Sequence, residues 1–174
     1  MKSVPLLHTA RCVLSAVTPT VIPVLRQILD DADTQRFLPE LCEVFQTEES
    51  LMQFIASFDT YLQQDEGLLW GIHKEDTFIG FIAIMDIPDN PTLFYAMHPD
   101  YRSQGLMTES LIAVIDYARG ENLFNKLQTE VNKENAISQK LIKDIGFHAY
   151  RKVNDKIYYH INVANEDRDK PDDD

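Results

Sequence analysis

Cysteine and glycine are scarce, with two Cys and six Gly in 174 residues. Cys12 and Cys42 show no CxxC spacing and fall in what reads as a strand and a helix-flanking loop. They are expected to be reduced core thiols, outside any disulfide framework. No GxGxxG and no GxxxxGK[ST] occurs, so neither a dinucleotide-binding unit nor a P-loop NTPase is supported. A Ser-His-Asp hydrolase has the residue types but lacks a GxSxG elbow. Basic residues are outnumbered, 16 Lys+Arg against 28 Asp+Glu, for a net charge of -12 with neutral His. A nucleic-acid footprint is therefore absent, and any anionic ligand must be held by a local device. Long apolar runs are missing too: the longest, Phe78 to Met85, cannot cross a bilayer. The opening MKSVPLLHTARC holds an apolar stretch too short for a signal segment. A cytoplasmic protein with no membrane partner is the expectation. No His/Cys/carboxylate spacing points to a metal.

What is present is the composition of one globular domain, 44% hydrophobic and 25% charged. We expect that domain over residues 1–163 and a solvated acidic tail over 164–174, because Asn165 to Asp174 carries six acids and two bases. Arg11 to Val17 alternates as a strand, and Thr18-Pro19 opens a helix whose face is Val21, Leu25, Ile28 and Leu29. Asp30 to Glu43, interrupted by Pro39, reads as a broken helix or loop. After Thr47, Leu51, Phe54, Ile55, Phe58 and Leu62 recur at helical spacing. A hairpin follows at LLWGIHK and TFIGFIAIMD, then a strand over Thr92 to His98. Leu111, Ile112, Val114, Ile115 and Ala118 form the stripe of the next helix, with Gly120 as its C′ residue. A strand at Lys126 to Val131, a helix at Ala136 to Ile145 with Ile137, Leu141 and Ile145 aligned, and strands at 148–153 and 156–163 complete the chain. The order β, α, α, β, β, β, α, β, α, β, β predicts an α+β domain with one mixed sheet.

The chemistry is expected where strands feed helices. His98 to Glu109, HPDYRSQGLMTE, joins a central strand to a helix through a polar loop with one Gly. A helix amino terminus offers free N–H groups to phosphate, and Gly105 lets the backbone approach it. Asn132 to Phe147, NKENAISQKLIKDIGF, opens a second helix directly after another strand, with Asn135 and Ser138 at its start. Two such junctions can converge on one ligand.

These segments resemble the GNAT superfamily of acyl-CoA-dependent N-acyltransferases. Its pyrophosphate loop Q/R-x-x-G-x-G/A is matched by Arg102-Ser103-Gln104-Gly105-Leu106-Met107, and its later N-x-x-A/S-x-x-L-x-x-x-x-G-F by Asn135, Ser138, Leu141, Gly146 and Phe147. The opening LHTARCVL is similar to the L-x-T-x-R-x-x-L start of the branch that contains the ribosomal-protein N-terminal acetyltransferases. The resemblance covers residues 7 to 163 and implies a mixed, mostly antiparallel sheet, splayed between two central strands and flanked by helices. It further implies acetyl-CoA as cosubstrate. Backbone groups at Met97 and His98 would pair with the pantetheine arm, and an N–H there, at Met97, would polarise the thioester carbonyl. Amides of Ser103, Gln104, Gly105, Leu106, Met107 and Thr108 would hold the pyrophosphate with Arg102 close by. Asn135 would touch the arm, and Ser138 would serve as acid to the leaving thiolate. Three positions depart from the pattern: Met107 replaces a small residue, Ser103 stands where Gly is commoner, and Ile142 occupies the place of a frequent Tyr acid.

The implied reaction is direct attack of a neutral amine in a ternary complex. The base is not identified; Asp86, Glu109 and Glu130 are the carboxylates at suitable element ends, each with an ordinary solvated or helix-dipole role as the alternative. His98 and His73 are isolated. The implied acceptor is a protein N-terminal amine. A small amine such as a polyamine or aminoglycoside, attracted by the acidic surface, is the second reading, and a non-catalytic acyl-CoA-binding protein the third. A monomer or homodimer is expected.

Overall fold

Eight strands in the order β1-β2-β3-β4-β5-β6-β8-β7 make one sheet in the computed structural model, which describes residues 2–164. Positions 165–174 of the expected tail lie outside the described residues. β1 (Leu7–His8) and β2 (Val13–Ala16) form a short antiparallel edge. After a 3-10 turn at Pro19–Val21, α1 (Ile22–Asp30) buries Ile22, Leu25, Ile28 and Leu29, close to the face read from the spacing. The ambiguous stretch resolves into two short helices, α2 (Ala32–Phe37) and α3 (Pro39–Val44), with Pro39 at the first position of the second, where its missing N–H costs nothing. α4 (Glu48–Gln63) is capped by Thr47, whose hydroxyl accepts from Ser50 N–H, and buries Leu51, Ile55 and Phe58.

β3 (Leu68–Lys74) and β4 (Thr77–Met85) are the central hairpin, almost wholly buried, as their two-sided apolar runs require. β5 (Thr92–Met97) pairs antiparallel with β4 and leads through a turn at Pro99–Tyr101 into α5 (Leu106–Gly120). β6 (Lys126–Asn132), α6 (Ala136–Ile145), β7 (His148–Val153) and β8 (Lys156–Asn162) follow, β8 lying between β6 and β7. The sheet separates two cores. One, around Trp70, Leu111, Val114, Ile142 and Tyr159, lies under α5 and α6; the other, around Leu25, Leu51, Phe58 and Phe81, lies under α1 and α4.

Some details depart from the sequence pattern. The edge strand β1 is too short to show a period. Ile112 and Ile137 are exposed, at 43% and 72%, because a stripe of less than half the helix circumference suffices against one sheet face. Gly120 stays inside α5, and the left-handed residue after it is Asn122, with φ 52°. Cys12 is buried ahead of β2 and Cys42 half-buried on α3; both are free, and burial pushes both thiols up, away from thiolate chemistry.

Candidate active site

β5 and β6 are parallel and meet only at Thr92 and Gln128. Gln128 N–H donates to Pro91 O at 2.9 Å, and the Thr129 hydroxyl donates to Leu93 O at 2.9 Å. Beyond that point the ladder ends. His98 N–H donates to Ile79 O at 2.7 Å, so in the antiparallel β4–β5 register Ala96 and Phe94 also face β4. Alternation then turns the backbone groups of Tyr95 and Met97 toward the gap that β6 has left. The gap opens into a cleft of about 1220 Å³ that reaches from the α5 amino terminus, past Tyr95 and Ser138, to α2, α3 and α4.

Ser103, Gly105, Leu106, Met107 and Thr108 line this cleft together with Met97, Arg102, Asn135 and Ser138. Gly105 is the N-cap of α5 with φ 79°, and it carries no side chain to cap the first turn. The first intrahelical bond is Glu109 N–H to Gly105 O at 3.1 Å. The amides of Leu106, Met107 and Thr108 therefore have no carbonyl of their own helix. Ser103 also adopts a left-handed φ, of 60°, which is the physical reason glycine is commoner there. Met107, 6% exposed, packs into the α5 core and does not crowd the loop. Ile142 is fully buried and does not line the cleft.

Other sequence-derived residues lie elsewhere or carry different duties. Gln104 and His98 do not line the cleft. The Gln104 amide donates to Asp100 O at 3.2 Å. The His98 Nδ1 accepts from Asp100 N–H at 3.2 Å, which puts its proton on Nε2, 3.1 Å from Gln27 Oε1. Arg102 lines the cleft, but its guanidinium is turned inward: Nε donates to Met97 O at 3.0 Å, and its terminal nitrogens donate to Asp31 and to the Thr34 hydroxyl, each at 2.9 Å. It ties β5 to the α1–α2 corner.

The cation beside the loop is Arg11. Its Nη2 lies 3.2 Å from where a Cβ on Gly105 would stand. Glu109 holds it there, accepting from Arg11 Nε at 2.5 Å, from Arg11 N–H at 3.0 Å and from the Thr9 hydroxyl at 2.5 Å. The opening Thr9-x-Arg11 is thus a latch between the β1–β2 loop and the first turn of α5. Burial raises the Glu109 carboxyl, but the Thr9 and Arg11 hydrogen bonds outweigh it and hold the group below its usual range. A carboxylate so engaged is a structural anion. Asp86 lies outside the cleft. Of the three carboxylates read as base candidates, Glu130 alone lines it, held 2.9 Å from Lys156.

Tyr95 belongs to neither sequence motif. It lies two residues before Met97 on the same face of β5, and its hydroxyl is 2.5 Å from Ser138 Oγ. Burial pushes its phenol up to about 12, against a smaller lowering by Ser138. Asn135 caps α6 by accepting Ser138 N–H at 3.2 Å, which orients the serine. The strand period placed Tyr95 beside Met97, but its meeting with Ser138 is long-range and carries no local signal.

The model of the Acetyltransferase (GNAT) domain matches residues 11–148. Among curated proteins, the Probable N-acetyltransferase YjcK of Bacillus subtilis (strain 168) is 27% identical over 110 residues, which are 60% of this chain and 61% of that relative. A solved structure of RimL, a ribosomal-protein alpha-N acetyltransferase in complex with coenzyme A, superposes with a TM-score of 0.82 at 14% identity over 91% of this chain and 98% of that one. An acetyl transferase of Salmonella typhimurium that modifies the N-terminal serine of a 50S ribosomal subunit protein gives 0.76 at 14% identity, over 91% and 99% of the two chains. RimJ of Mycobacterium smegmatis gives 0.73 at 16% identity, over 92% and 87%. Likeness at these identities establishes the fold.

Proposed function

The chain belongs to the GNAT acetyltransferase family, and from that premise we propose that it transfers an acetyl group from acetyl-CoA to a primary amine, a protein N-terminal amine in the first instance. The observation that carries this reading is the splay of β5 from β6 beyond Thr92, ending beside a helix terminus with free amides. In this reading the pantetheine arm enters the gap as a pseudo-strand against Tyr95 and Met97. The pyrophosphate rests on the amides of Leu106, Met107 and Thr108, with the helix dipole and Arg11 supplying positive charge. Arg102 contributes by fixing Met97, not by meeting the phosphates.

The amine attacks the thioester carbonyl as the neutral base. Met97 N–H donates to the developing oxyanion, stabilising the tetrahedral intermediate more than the bound thioester. As the intermediate collapses the C–S bond breaks, and Ser138, backed by the protonated Tyr95, donates to the leaving thiolate. In this reading Glu130, the one base candidate that lines the cleft, takes the proton of the amine, directly or through water. The YjcK relative and the RimL structure support transfer to nitrogen. A calorimetric titration with acetyl-CoA, followed by mass spectrometry of N-terminal peptides incubated with enzyme and acetyl-CoA, tests the proposal. Binding and a gain of one acetyl group at the amino terminus are expected; no heat at millimolar acetyl-CoA overturns it.

A further inference from the structure

The far wall of the cleft carries information about the acceptor. Phe54 is its hub, with ring centroids 4.7 Å from Phe45, 5.1 Å from Phe58 and 6.4 Å from Phe94. Phe37, Leu41 and Tyr61 extend the same wall, and all of these except Phe58 are only half-buried. Val44, on the rim, is 64% exposed. An apolar surface of this extent inside a concave site is held open to water at a cost that a ligand can remove.

The carboxylates in the cleft are partly neutralised. Its acidic lining residues are Asp33, Glu40, Glu130 and Asp144. Each lies against a cation: Asp33 is 4.0 Å from Arg102, Glu40 and Glu130 are 3.0 and 2.9 Å from the same Lys156 ammonium, and Asp144 is 2.6 Å from Lys140. Four carboxylates against three cations leave a residual negative charge, but a polycation drawn in by it would lose hydration against the aromatic rings that make up the far wall.

Resting on the transferase reading, we infer that the acceptor is a primary amine joined to an apolar, aromatic-sized body. The body lies on the Phe54 wall and delivers the amine to the gap beside Met97. A polypeptide terminus whose next side chains are apolar and a free arylalkylamine share this chemistry; a polyamine or aminoglycoside does not.

The test measures CoA release at saturating acetyl-CoA with four acceptor sets: a Ser-Phe-Leu peptide, a matched Ser-Asp-Lys peptide, phenylethylamine, and spermidine with kanamycin. We expect kcat/KM for the better of the two apolar acceptors to exceed that of the polar peptide and the polycations at least tenfold. Whether peptide or phenylethylamine leads identifies the source. Equal rates for the two peptides with no activity on phenylethylamine, or a preference for spermidine or kanamycin, overturn the inference and leave the transferase reading intact. Val44→Glu, on the exposed rim, should raise KM for the leading apolar acceptor several-fold with an unchanged acetyl-CoA dissociation constant; an unchanged KM counts against the inference. Calorimetric titration of the Ser-Phe-Leu peptide and phenylethylamine against the CoA-loaded and CoA-free protein decides without turnover. Heat from either supports the apolar wall even if acetyl-CoA fails to bind and the transferase reading falls. No heat from either, with no apolar turnover, overturns the inference.

Discussion

The Tyr95 hydroxyl, from a central strand, lies 2.5 Å from the Ser138 hydroxyl, from the first turn of α6, and both residues line the cleft. The phenol, pushed up to about 12 by burial, keeps its proton across the working pH range and can donate to the serine while the serine donates outward. If the two act as one donor to the thiolate, their effects must not add. Ser138→Ala and Tyr95→Phe are each expected to lower kcat roughly tenfold to a hundredfold, the low end of general-acid effects. The double variant should be no slower than the slower single one. Steady-state kinetics measure this, and an acetyl-CoA affinity that falls while kcat holds would make Ser138 a binding contact.

Gly105→Val is expected to abolish the heat of acetyl-CoA binding. Its φ of 79° suits glycine, and the new Cβ would stand 3.2 Å from Arg11 Nη2, pressing on the cation proposed for the phosphates. The backbone strain costs about 1–3 kcal/mol, so a thermal melt should show a folded protein with a lowered Tm. Wild-type affinity in the folded variant contradicts the loop assignment.

Arg102→Met separates a structural arginine from a phosphate ligand. It strands the half-buried Asp31 and the buried Thr34 hydroxyl and Met97 O, and the lost hydrogen bonds should cost about 2 kcal/mol at pH 7. Burial raises the Asp31 carboxyl, but the hydrogen bonds from Arg102 and Thr34 and the guanidinium charge outweigh it, and the net direction is down. A lowered folded-state pKa contributes stability above the unfolded value, near pH 4, and loses it as pH falls through the folded value. Urea melts of wild type and variant should therefore differ most above about pH 4, and the gap should narrow below it to what the bonds to Met97 O and Thr34 contribute. A gap that does not narrow in acid refutes the ion-pair account.

Glu109→Gln and Glu130→Gln should behave differently. The first loosens the Thr9–Arg11 latch and should lower Tm with little change in the pH dependence of kcat/KM. The second removes the one base candidate that lines the cleft. It should lower kcat/KM about tenfold or more near neutral pH, with partial recovery as pH rises and more of the amine is neutral. Parallel pH–rate profiles and melts decide between them.

Local chemistry was enough to read much of this protein. Thr47 and Pro19 open helices because capping and a fixed φ act within a few residues, and Gly105 marks the entry to α5 because a left-handed residue before a helix favours glycine. The spacing of Asn135, Ser138, Gly146 and Phe147 announced the second junction for the same reason. Tertiary structure alone decided how the side chains were used. Arg102 looked like a phosphate cation but is consumed by Asp31, 71 positions away, while Arg11 is carried to the loop by Glu109, 98 positions away. Tyr95 meets Ser138, and Phe94 joins Phe45 and Phe54, only because the sheet order brings β5 between α4 and α6. Capping and turn preferences are settled over a few residues and appear in the sequence. Which charge meets which, and which aromatic stays uncovered, depends on contacts between distant segments that no local pattern encodes.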